Sequence, residues 1–228
     1  MTNPQEFSPQ QQPQNKVQQQ VAKTNATPRT QGGGTIFTED VIVVNQKAKL
    51  FEASAQYSVF DQNGNEIAAV QQVNQSKFAK ILKLLVKFDG LLTTELNVID
   101  TNGNQLARLF KPRHFFKAKV EVTTASGLEG SINTVLKFGK AELKLMMGEQ
   151  QVGLIKAENF RAWNFAIFDA AGNQVGKVSK TWAGLGKEFF TQADNYVVEI
   201  AQNIQPQLRE FSVVSAVAID AVLKQYKS

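Results

Sequence analysis

The stretch "PQLREFSVVSAVAIDAVLKQYK" (206–227) decides the fold. Pro206 suits a first helical turn, where its missing N–H is not needed. Lys224 and Lys227 suit a last turn, against the negative end of the helix dipole. Between Phe211 and Ile219 there is no charge, and serine and alanine are mixed with valine. A helix apolar around most of its circumference belongs in an interior. The run is also shorter than the ~20 apolar residues that cross a bilayer. The rest of the chain must therefore supply an enclosure, and the segment reads as a helix threaded through a barrel. Its β-branched content leaves a strand as the alternative.

The enclosure is legible in three similar stretches: "FDQNGNEI" (60–67), "IDTNGNQL" (99–106) and "FDAAGNQV" (168–175). Each carries Asp, two variable residues, then Gly-Asn. Read as calcium loops they fail. An EF-hand loop wants glycine at its sixth position and a bidentate glutamate at its twelfth. Counted from Asp61, those positions hold Glu66 and Gln72, and the third copy has Ala170 and Ala171 where oxygen ligands would stand. Read as turns they succeed, since Asp opens a type I turn and Gly tolerates the left-handed conformation that follows. Alternating flanks such as Tyr57, Val59 and Ile67 make them β-hairpins. Two weaker copies lie at 120–132 and 145–155. With a first strand near 41–45 and a last near 196–200, the expectation is about twelve short antiparallel strands in a closed barrel or a sandwich.

Composition narrows the function. The 228-residue chain carries a net charge of +5, a pI near 9.3, no cysteine and a single histidine, His114. Disulfides, thiolate nucleophiles and cysteine zinc sites are excluded, and the positive charge favours anionic partners. Gln- and Pro-rich residues 1–34 contain no signal-peptide h-region and predict a disordered tail, with 35–228 forming the barrel domain. No clean P-x-x-P is present, so the tail reads as a solubilising linker or as a recognition segment for a protein partner. "GLGKEF" (184–189) lacks a third glycine, and neither a P-loop nor a nucleophile elbow occurs. The expectation is a non-enzymatic protein without cofactor or metal.

Specific motifs add a family resemblance. Lys180-Thr-Trp182-x-Gly184, Glu188-Phe189-Phe190-Thr191 and Ala193-Asp194-Asn195-Tyr196, followed by the apolar C-terminal segment, resemble the phospholipid scramblase family. Residues 50–70 resemble its first hairpin, and 155–169 its bacterial scramblase-related branch. The likeness spans about 41–226. It implies a tubby-like fold, shared with LURP-one-related proteins: a twelve-stranded barrel around a buried C-terminal helix. It also implies energy-independent movement of phospholipid between leaflets, with calcium stimulation in eukaryotic members. The calcium segment departs from that pattern, with Gln192 and Asn203 where acids would stand beside Asp194. Calcium control and a lipid anchor are therefore not carried over.

Two basic stretches are the candidate lipid-binding residues. "RLFKPRHFFKAKV" (108–120) holds Arg108, Lys111, Arg113, Lys117 and Lys119, interleaved with phenylalanines and free of acids. Cations attract anionic headgroups, and aromatics settle at the interface. The same mixture could follow a single-stranded nucleic acid, or could be an ordinary strand with solvated lysines. In "KFAKILKLLVKF" (77–88), helical spacing gathers Lys77, Lys80, Lys83 and Lys87 on one face opposite Phe78, Ile81, Leu82 and Leu85. That is an interfacial helix or a cap on the barrel end. Trp163 and Trp182 read as packing residues before anchors, and Asp220 as a carboxylate satisfied within the fold. The reading is a cytoplasmic barrel, peripheral at the plasma membrane, that binds anionic phospholipid. A protein-interaction module and a nucleic-acid-binding regulator are the alternatives, nucleic acid being the weaker partner.

Overall fold

A computed structural model describes residues 11–46, 55–73, 94–112, 119–158, 164–181 and 195–219. After an N-terminal helix α1 (Gln11–Lys23) come twelve strands. They are β1 (Val41–Gln46), β2 (Ala55–Asp61), β3 (Glu66–Gln72), β4 (Thr94–Asp100), β5 (Gln105–Lys111) and β6 (Lys119–Thr124). There follow β7 (Glu129–Lys137), β8 (Lys140–Met147), β9 (Gln150–Ala157), β10 (Asn164–Asp169), β11 (Gln174–Thr181) and β12 (Asn195–Ile200). Helix α2 (Pro206–Val217) completes the fold. Successive strands pair antiparallel, and β1 closes the barrel by pairing with both β2 and β12, with Val43 opposite Val197.

The strands form because their side chains alternate. In β6, Val120, Val122 and Thr124 are buried while Lys119, Glu121 and Thr123 are exposed. The inward residues of all twelve strands and those of α2 make one core. Every residue from Phe211 to Ile219 is buried, which a helix lying on an outer face could not achieve. The helix therefore fills the barrel, as its sequence required. The element runs to Val217, with the Ala218 N–H donating to the Val214 carbonyl, and Ile219 is again helical. Residues 220–228, including Asp220, Lys224 and Lys227, lie outside the described residues.

The strands leave room for this helix where it is widest. A Cβ added to Gly130 would stand 2.7 Å from Phe211 Cε1 and 2.8 Å from the Met146 carbonyl oxygen. One on Gly153 would stand 2.9 Å from Leu208 Cδ1. Narrowness on the helix side comes from Ser212 and Ser215, whose buried hydroxyls have no hydrogen-bond partner among the described residues. Such a hydroxyl costs about 1–3 kcal/mol, so these positions trade polarity for size.

Residues 11–34 do not form the disordered tail expected from composition. Val17 and Val21, one helical turn apart on α1, are buried against Val41, Val43 and Val197 on the outside of the β1–β12 seam. This explains why "VIVV" (41–44) is apolar without alternation: Ile42 and Val44 face the core, Val41 and Val43 face α1. Residues 1–10 lie outside the described residues.

Gly130→Val should overpack the contact with Phe211 and lower stability by about 3 kcal/mol. The urea midpoint checks this, and an unchanged midpoint would mean that Phe211 does not fill the barrel here.

Candidate lipid-facing surface

The three Asp-Gly-Asn units share one end of the barrel and one geometry. Asp61 N–H donates to the Asn65 carbonyl at 3.0 Å, and Gly64 N–H to the Asp61 carbonyl at 3.1 Å. The Asp61 carboxylate accepts from the Asn63 and Asn65 N–H groups, each at 2.9 Å, and from Asn65 Nδ2 at 2.7 Å. Asp100 with Asn102 and Asn104, and Asp169 with Asn173, repeat the arrangement. Gly64, Gly103 and Gly172 have φ of 89°, 86° and 86°, and the strand register slips just before each aspartate. This is a type I turn with a glycine bulge. In the fourth copy Thr124 does the same work through its hydroxyl, which accepts from Leu128 N–H. The carboxylates hold turns rather than ligands.

These hydrogen bonds have an electrostatic signature. Donation from Asn104 Nδ2 holds the exposed Asp100 below the ordinary carboxylate range, and Asn173 does the same for Asp169. Because the folded value is the lower one, the turns' contribution is present above the ordinary carboxylate pKa and is lost as pH falls through the depressed value.

Asp61 has a second task. It is fully buried and also accepts from Gly33 N–H at 2.8 Å. Gln62 Nε2 and Asn63 Nδ2 donate to the Thr30 and Gln31 carbonyls. The first turn is thus the mooring of the N-terminal arm. Nearby, Arg209 of α2 donates to the carbonyls of Phe37, Ala201 and Glu39 at 2.6, 2.9 and 2.6 Å, joining helix, arm and last strand. Burial pulls its pKa down, and Asp40 and Glu39 pull it partly back. Burial by itself would raise the Asp40 pKa, but donation from the Thr30 hydroxyl and from the Arg29 and Thr30 N–H groups leaves it lowered. This end of the barrel is closed by polar cross-links.

Of the basic residues read from sequence, Arg108 lies on the outer face of β5. Its Nε donates to Glu95 Oε1 at 2.6 Å, and its guanidinium stands 4.9 Å from the Phe110 ring. That hydrogen bond raises its pKa. The stretch 108–120 has no acid of its own, but the neighbouring strand β4 supplies one. A half-exposed pair of this kind contributes little and can be exchanged for another anion. Lys111 ends β5 and the exposed Lys119 begins β6, so the antiparallel register brings them to the same end of the barrel. Arg113, Lys117, Lys77, Lys80, Lys83 and Lys87 lie outside the described residues, as do His114, Trp163, Trp182, Gln192 and Asp194.

Sequence reading missed the tip of the β7–β8 hairpin. Val135, Leu136 and Phe138 are 41, 53 and 88 % exposed there, beside Lys137 and Lys140. The available signal was an apolar-basic run, "VLKFGK" (135–140), with no acid. The hairpin points to the end where β3 leaves and β4 re-enters, opposite the Asp-Gly-Asn turns. A cavity of about 410 Å³ lies at the arm–barrel seam, between Arg29 and Asp40 on one side and Lys177 and Glu199 on the other. Burial raises the Glu199 pKa, which Lys177 partly offsets. Among the described residues no group of three or more acidic or histidine side chains could hold a metal ion, and no helix is long and apolar enough to cross a membrane.

A closed twelve-stranded antiparallel barrel filled by its own C-terminal helix, with basic residues at one end, defines the class. The family model described as Scramblase matches residues 22–224, and the chain belongs to that family. It is 21 % identical over 194 residues to a phospholipid scramblase family protein of Schizosaccharomyces pombe, covering 78 % of this chain and 50 % of that one. It is 24 % identical over 196 residues to altered inheritance rate of mitochondria protein 25 of Saccharomyces cerevisiae, covering 72 % of this chain and 59 % of that one. The chain thus spans half to three-fifths of the length of these relatives. A solved structure of an Arabidopsis thaliana protein aligns over 80 % of this chain and 91 % of its own, at 12 % identity and a TM-score of 0.48.

Asp61→Ala should cost about 2–3 kcal/mol, since it strips buried donors of the turn and of the arm. Asp100→Ala, which affects only an exposed turn, should cost much less. Equal losses in a chemical denaturation series would mean that the arm is not moored at Asp61.

Proposed function

We propose that this protein binds anionic phospholipid at a membrane surface and promotes movement of phospholipid between leaflets. Membership of the Scramblase family across 22–224, a span that includes both barrel and central helix, carries this reading. The net charge of +5 supports it. Each lysine or arginine close to an anionic leaflet contributes about 1 kcal/mol, within a Debye length of the surface.

The fold limits how lipid could move. The barrel axis is occupied by Phe211 to Ile219, all buried, so the described residues leave no lumen for an acyl chain. Lipid would have to move along the outer surface or through bilayer perturbed by the bound protein. The chemistry is non-covalent. On this reading the protein is peripheral, at the cytoplasmic face of the plasma membrane.

Purified full chain should co-sediment with phosphatidylcholine–phosphatidylserine vesicles at low salt and not with pure phosphatidylcholine. In vesicles with a fluorescent lipid on both leaflets, it should make the inner pool accessible to a membrane-impermeant reductant. Binding without lipid movement would leave a phospholipid-binding protein; neither activity would refute the proposal. Replacing Lys111, Arg113, Lys117 and Lys119 together with Gln should weaken vesicle binding at least tenfold at low salt, with the difference shrinking as salt rises. Unchanged binding would remove this patch from the site.

A further inference from the structure

The β7–β8 hairpin turns through Phe138 and Gly139, with Lys137 paired to Lys140. Both turn residues have positive φ, 49° and 76°. A two-residue loop with both residues left-handed is a type I′ turn, whose first position favours Asn, Asp or Gly. A bulky aromatic there is a backbone outlier. Among the described residues no burial compensates, since the Phe138 side chain is 88 % exposed. Strain held without internal reward points to a use outside the fold.

The surroundings say what that use is. Val135 and Leu136 extend the apolar tip. Exposed Lys137 flanks it, and the half-buried Lys140 at its base donates from Nζ to the Glu158 carbonyl at 3.1 Å. The nearest acid in sequence, Glu142, is buried with Lys156 Nζ 3.7 Å away. Two such tips meeting about a two-fold axis would set Lys137 against Lys137. An anionic bilayer instead offers acyl boundary to the apolar residues and headgroups to the ammonium groups.

We propose that the β7–β8 tip, with Phe138 at its apex and Val135, Leu136 and Lys137 around it, is the element that inserts into an anionic phospholipid surface. The assignment rests on the lipid-binding reading above and names the contact through which it works. It would set the barrel end-on to the membrane, with the opposite, cross-linked end facing away.

Phe138→Asn in the full chain tests this, because the two roles of residue 138 then move in opposite directions. Asn suits the turn, so the melting temperature should rise by about 2–4 °C. Loss of the apolar anchor should weaken partition onto phosphatidylcholine–phosphatidylserine vesicles on the order of tenfold. Lys137→Gln should weaken it about fivefold at low salt only. Unchanged vesicle partition with Phe138→Asn would overturn the tip assignment while leaving lipid binding intact. A fall in melting temperature would overturn it by making Phe138 a folding residue. A change confined to the oligomeric state in sedimentation velocity would give the tip to a second copy. If the unaltered chain itself ignores these vesicles, the lipid-binding reading fails first and the tip falls with it.

Discussion

The structure depends on one constraint: a helix with no polar side must be surrounded on every side. Nine consecutive residues, Phe211 to Ile219, are withdrawn from water, among them Phe211, Val213, Val214, Val217 and Ile219. Fully burying side chains of this type is worth roughly 1.5–3 kcal/mol each, and no single sheet could cover them all. Closure of twelve strands follows from that demand. So do the glycines at 130 and 153, which leave room for Phe211 and Leu208. The serine hydroxyls at 212 and 215, buried without a hydrogen-bond partner among the described residues, show that width, rather than hydrophobicity alone, governs this helix.

Closing a barrel creates a seam, and here it lies between the first and last strands. Its outer face is apolar at Val41, Val43 and Val197, so a second layer is needed. Helix α1 supplies it, and the following arm is held by Asp61 and Asp40. Chain segments distant in sequence thus meet at one end: the arm, the Asp61 turn, the end of β12 and the start of α2 through Arg209. The ends of the barrel consequently differ. One is cross-linked by buried polar groups; the other carries the exposed apolar-basic hairpin and the ends of β5 and β6 with Lys111 and Lys119.

What could be read from sequence was what is local. Asp, two residues and Gly-Asn encode a turn because every hydrogen bond involved spans at most four residues. The central helix was legible because its apolar character is continuous. The arm was not, because Val17 and Val21 are sparse in a glutamine-rich segment and acquire meaning only from the outer face of distant strands; the unalternating "VIVV" was the overlooked counterpart. Glu95 beside Arg108 required the β4–β5 register. Phe138-Gly139 escaped notice as a turn because its first residue is contrary to turn chemistry.

Deleting residues 206–228 and following unfolding by urea tests the central claim most directly. The account predicts that the emptied barrel loses its cooperative transition and its solubility, because its inward side chains then face a void. A soluble truncation that still unfolds in one cooperative step would contradict it, and would make the C-terminal segment an appendage rather than the core.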